Sequence, residues 1–185
     1  MTALNSDENM SNQYLTFTLR DEDFAIDISK VREVLDVTTM TKIPQMPSFI
    51  SGVINLRGNV VPVLDLGCRL GMDPVVPTKN TCVMIVETTI NETVVAMGTV
   101  ADSVQMVLDL HTSEIEEVPR MGTNINTEFI NGMGRQGEKF LVILNIDKVL
   151  SQGGDDLRLC LDLDMDPTLA SAPITQAVEG VTAAA

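Results

Sequence analysis

The chain has no tryptophan, and aromatic residues make up only 3% of it. Its core must therefore be aliphatic, with eleven Met as adaptable filler. The single histidine, His111, lies in a polar stretch beside Thr112 and Ser113. A nucleophile needs a positioned base, and a lone histidine in such a stretch reads as solvated. Cys68, Cys82 and Cys160 are odd in number and widely spaced, without a CxxC or a Cys/His cluster. Neither a disulfide framework nor a zinc site is indicated. The motifs GxSxG, GxGxxG and GxxxxGK(S/T) are absent, and Gly132-Met133-Gly134 lacks the third glycine of a dinucleotide loop. Asp162, Asp164 and Asp166 begin like a calcium loop, but Pro167 and Pro173 stand where its glycine and its bidentate Glu belong. Basic residues are scarce too: 12 against 26 acidic ones, for a net charge of −14. That excludes the basic face of a nucleic-acid binder and disfavours anionic membrane surfaces. Residues 1–13 carry no secretion-signal pattern, and no apolar run approaches the ~20 residues needed to cross a bilayer. The expectation is a cytoplasmic, non-catalytic protein with no metal and no cofactor.

What is present is a duplication. Residues 49–66, FISGVINLRGNVVPVLDL, place two apolar runs around Arg57-Gly58-Asn59, the pattern of a β-hairpin. The same pattern recurs without a gap 80 residues later as FINGMGRQGEKFLVILNI, where Phe49, Ile50, Gly52 and Leu64 match Phe129, Ile130, Gly132 and Leu144. A second echo pairs residues 31–37 with 104–110, each after a strand-like segment. Two copies make no solenoid. They predict a mainly β fold of two small β-subdomains, roughly 25–70 and 92–150, packed on each other.

In chain order, residues 1–12 are polar and expected to be disordered. Strands are expected at 14–19 and 24–28, separated by the acidic turn 20–23. Ser29 is expected to cap a short helix or turn over 30–35, because Val31, Val34 and Leu35 have helical spacing. Val31 reads equally well as core. One helical turn is expected at 68–72, a connection at 73–80, a hairpin from 81–87 and 92–101, and an irregular stretch at 110–127 with one helical turn near 113–117. Residues 146–150 close the second repeat. The segment 155–166, DDLRLCLDLDMD, fits a strand or a helix, with a short helix preferred. Residues 152–185 form an acidic, then Ala/Thr-rich tail, partly helical or disordered.

A binding module suits this chain better than an enzyme. Small β-barrels offer exposed edges and grooves to peptides or to other barrels. Arg57, at a hairpin tip, is either a solvated turn residue or a contact. A small hydrolase using dispersed carboxylates ranks last, since no pairing supports it.

The run from Asn55-Leu56-Arg57-Gly58 into VVPVLDL, the earlier FAIDISKVREVL and the segment Thr127-Glu128-Phe129-Ile130-Asn131-Gly132-Met133-Gly134 resemble CheW, the coupling protein family of bacterial chemotaxis. The resemblance covers about residues 13–151. It implies two intertwined five-stranded SH3-like barrels and a scaffold without catalysis. It implies binding to the regulatory domain of the histidine kinase CheA and to the cytoplasmic tip of chemoreceptors, in a membrane-associated array. By position it places Val31, Glu33, Gly52, Arg57 and Gly58 at the kinase contact. Val83, Gly98, Val104 and Val107 fall at a groove between barrels that receives the receptor. An adaptor of another receptor–kinase pathway, twitching or developmental, remains the alternative. CheV, which adds a phosphorylatable receiver, fits less well because no receiver follows. The tail is a departure from the family.

Overall fold

A computed structural model describes residues 11–37, 39–90, 92–119 and 126–152. The expectations for residues 1–10, for 155–166 and for the rest of the tail lie outside these residues. Ser11 and Asn12, expected within the disordered N-terminus, already belong to a strand.

Both copies of the repeated hairpin form. In the first, β4 (Ile50–Leu56) and β5 (Asn59–Asp65) are antiparallel and joined by Arg57-Gly58. Both turn residues have positive φ, 53° and 88°, which two-residue hairpin turns of the mirror-image type require. The Asn55 side chain holds the turn by accepting the Gly58 amide at 2.9 Å. In the second, β9 (Ile130–Gln136) pairs with β10 (Lys139–Leu144), and Gly137 occupies the place of Arg57.

The remaining strands are β1 (Ser11–Leu19), β2 (Glu22–Asp27), β3 (Val31–Asp36), β6 (Cys82–Ile90), β7 (Thr93–Ala101) and β8 (Ser103–His111). They build two five-stranded sheets, ordered β8-β1-β2-β10-β9 and β3-β6-β7-β5-β4. The orders are equivalent element by element. Each sheet has a repeated hairpin at one end, an edge strand from the second echo at the other, and a further hairpin between. In both, the only parallel pairing joins the two hairpins: β10 to β2 and β5 to β7. The chain thus repeats a five-strand unit, yet each unit gives its first hairpin to the other unit's sheet. The boundaries 25–70 and 92–150 follow the hairpin copies but not the sheets, because β7 joins the sheet of β3–β5.

Residues 31–36 are a strand, not the expected helix or turn. Only Ile28–Lys30 is helical, a 3-10 turn capped by Asp27, whose side chain accepts the Ser29 amide at 2.8 Å. A bulge explains the misleading spacing. The register breaks between Val31 and Glu33, so Val31 and Val34 fall on one face although three residues apart. The matching break opposite Leu15 and Phe17 does the same for Val104 and Val107 of β8.

Burial falls into three apolar layers. Ile54, Val61, Val63, Val83, Ile85 and Val100 fill one sheet's own interior. Tyr14, Ala25, Leu110, Leu141 and Ile143 fill the other's. The largest cluster lies between the sheets and includes Phe17, Phe24, Leu64, Leu66, Met84 and Met97.

A short helix follows each repeated hairpin: α1 (Leu66–Arg69) and α2 (Ile146–Ser151). α1 starts two residues before the expected 68–72. Asp65 caps α1 by accepting the Cys68 amide at 3.1 Å, and Asn145 caps α2 by accepting the Lys148 amide at 3.1 Å. These residues are 80 positions apart, like the hairpins.

Candidate functional site

At the tip of the first hairpin, Arg57 Nη2 donates to Glu33 Oε2 at 3.1 Å. The β4–β5 turn supplies one partner and edge strand β3 the other. The Arg57 side chain is 75% exposed and that of Glu33 21%. A guanidinium so placed is half engaged, with donors left over for a second acceptor. Gly58 is exposed beside it. The outer edge of β3 carries no neighbouring strand among the described residues, so its backbone is open to a partner.

Val31 is half-buried against the layer between the sheets, which agrees with its reading as core. Gly52 is buried away from the tip, with φ of 147°. A side chain there would press into the carbonyl of Thr41, whose backbone exchanges two 2.9 Å hydrogen bonds with Val53. Gly52 therefore lets the loop before the hairpin lie flat on β4. Of the five residues expected at a kinase contact, the structure brings Glu33, Arg57 and Gly58 together.

The four expected groove residues divide. Val83 is fully buried and Gly98 is packed against Val63 and Val83, all inside one sheet's own cluster. They do not line the space between the sheets, so they shape that sheet without offering surface. Val104 packs on the inter-sheet layer, and Val107, on the same face of β8, is 47% exposed. Its counterpart on β3 is Val34, 42% exposed.

Other contacts carry no motif and were not anticipated. Arg20, in the β1–β2 turn, donates to both oxygens of buried Asp65 at 2.9 and 3.1 Å and to Asp102 at 3.0 Å. Arg32 pairs with Glu87 at 3.0 Å across β3 and β6. Asp147 accepts from Lys30 and from the Thr88 hydroxyl, each at 2.8 Å. Partial burial pushes the Asp147 carboxyl upward, but these two donors and the Lys30 charge outweigh it and hold the group below its usual range. Burial raises the thiols of Cys68 and Cys82, with Asp65 adding to the effect at Cys68, so neither is an activated thiolate. His111 is exposed at the end of β8.

A family profile described as "CheW-like domain" matches residues 13–153. The chain belongs to the CheW-like family. A chemotaxis protein CheW of Klebsiella aerogenes is 37% identical over 144 residues, covering 78% of this chain and 84% of that protein. One from Bacillus subtilis is 30% identical over 139 residues, covering 75% and 86%. The crystal structure of the scaffolding protein TtCheW from Thermoanaerobacter tengcongensis superposes with a TM-score of 0.69 at 31% identity. It covers 83% of this chain and 96% of that one. The CheW-like family supplies coupling adaptors to bacterial chemotaxis, and this chain is one. Among its described residues no helix is long and apolar enough to cross a membrane.

Proposed function

We propose that the chain joins the regulatory domain of the histidine kinase CheA, itself CheW-like, to the cytoplasmic tip of a chemoreceptor, and so is recruited to membrane receptor arrays without performing catalysis. The observation that carries this reading is the Glu33–Arg57 pair: a half-engaged guanidinium at a turn beside an open sheet edge. Such an edge suits a barrel of the same build, whose own edge strand supplies complementary backbone groups. Val31, Gly52 and Gly58 support that surface through packing and turn geometry. The receptor's helical hairpin meets the groove flanked by Val104 and Val107, while Val83 and Gly98 act from within the sheet. Two surfaces on one small rigid body let receptor conformation bias the kinase, provided the adaptor has different affinity for the two signalling states.

The test is a titration of the purified chain with the CheA regulatory domain and with a receptor cytoplasmic fragment, repeated with Arg57→Ala. Binding that the substitution weakens, with circular dichroism unchanged, is the expected result. Unchanged binding removes Arg57 from the contact. Absence of binding to both partners by the folded chain overturns the pairing.

A further inference from the structure

We propose that Arg69 is the joint between the two repeats, a positioning residue that makes the base of each repeated hairpin sensitive to the other. Its guanidinium carbon lies 5.0 Å from the ring centroid of Phe49 and 5.8 Å from that of Phe129. These two phenylalanines are matched residues of the duplication, and each immediately precedes the elements of its hairpin. The Phe49 carbonyl accepts the Asp65 amide at 2.7 Å, and the Phe129 carbonyl accepts the Asn145 amide at 2.7 Å. Asp65 and Asn145 in turn cap α1 and α2. Each ring is thus fixed to one hairpin and one helix.

Arg69 is also the place where the two helices meet. Its Nε donates to the Val149 carbonyl of α2 at 3.1 Å, and Val149 is its own counterpart 80 residues on. A single side chain therefore touches the equivalent element of both copies. Its planar, permanently charged head can face two rings and keep a donor for the helix, which a lysine cannot reproduce. In Asp65 and Asn145 the duplication kept the same role on both sides. At Arg69 and Val149 it broke symmetry to make one link.

The functional half of this inference rests on the two-surface reading above; the structural half does not. For the structural half, Phe49→Leu and Phe129→Leu are made singly and together in the full chain, with Arg69 and with Arg69→Met, and unfolded by urea. With Arg69 present, the double variant departs from additivity by about threefold or more in the unfolding equilibrium. With Met it is additive. Additivity with Arg69 present, or the same departure without it, overturns the joint. Arg69→Lys, which retains the charge, serves as the background if the Met variant does not fold, and its departure is expected to be smaller than with arginine. For the functional half, affinity for the kinase regulatory domain is measured with and without saturating receptor fragment. The ratio differs from one in the unsubstituted chain and falls toward one in Arg69→Met. A ratio of one in the unsubstituted chain, or equal ratios in both, sinks that half. If neither partner binds, the proposed function fails while the additivity result still decides the joint.

Discussion

Arg20 and Asp65 meet through a forked ion pair, with Nη2 of Arg20 2.9 Å from Oδ1 and 3.1 Å from Oδ2 of Asp65. Arg20 belongs to the sheet of β1 and β2, and Asp65 ends β5 of the other. Asp65 also accepts the amides of Cys68 at 3.1 Å and Val75 at 2.6 Å. Removing it takes two acceptor oxygens from a guanidinium that keeps Asp102 and the Asp73 carbonyl, and leaves two amides without their acceptor. Asp65→Ala is expected to cost roughly 3 kcal/mol in urea unfolding. Asp65→Asn should cost less, because Asn145 shows that an amide suffices for the cap. A cost below about 1 kcal/mol for the alanine variant would show that water replaces the network.

Gly52 and Gly58 separate packing from turn strain. Both have positive φ, but only Gly52 lacks room for a side chain. Gly52→Ala is expected to cost roughly 2 kcal/mol or more and to detach the Thr41 loop. Gly58→Ala should cost about 1 kcal/mol, the strain of a left-handed backbone alone. Amide exchange at Thr41 and Val53 checks this. Equal protection in the two variants contradicts it.

Asp147 links stability to acid. Its folded value is depressed, so its contribution is present above the unfolded carboxylate range and lost as pH falls through the folded value. The side chain is 40% exposed, which limits the effect to a few tenths of a kcal/mol, up to about 1. Asp147→Asn should therefore lower Tm near neutrality and lose its deficit as the pH drops below about 4. A deficit that persists at low pH would assign the effect to packing.

The Glu33–Arg57 pair is exposed and contributes little to stability, below about 1 kcal/mol. Arg57→Glu should leave urea unfolding nearly unchanged and weaken kinase-domain binding. Adding Glu33→Arg rebuilds the pair in reverse, yet is not expected to restore binding, because the partner still meets the wrong sign. Full restoration by calorimetry would mean that binding needs only an intact pair and not the positive charge of Arg57.

The repeated hairpins, the edge echoes and the tip position of Arg57 were all legible from residue patterns, because alternation and turn chemistry are local. Residues 31–36 were not. A β-bulge gave Val31 and Val34 helical spacing, and only strand pairing reveals it. Asp27 rather than Ser29 caps the turn because the helical stretch already begins at Ile28. Val83 and Gly98 read as candidate groove residues, but the face of a buried strand depends on which sheet receives it. The roles of Arg20 and Arg69 arise between residues 20 to 82 positions apart and have no local signature.

The exchange of first hairpins also sets a schedule for the growing chain. β2 forms its parallel pairing with β10, whose first residue is Lys139. At ribosomal rates of roughly 5 to 20 residues per second, that partner emerges about 6 to 20 s after β2. Until then the hairpin of β1 and β2 carries apolar groups on both faces, Phe17 and Phe24 on one, Tyr14 and Ala25 on the other, beside an unpaired edge. The second sheet, assembled from residues 31–101, can close first and offer Met84 and Met97 as a surface on which that hairpin waits. The order of synthesis thus delivers every strand of one sheet before the last strands of the other.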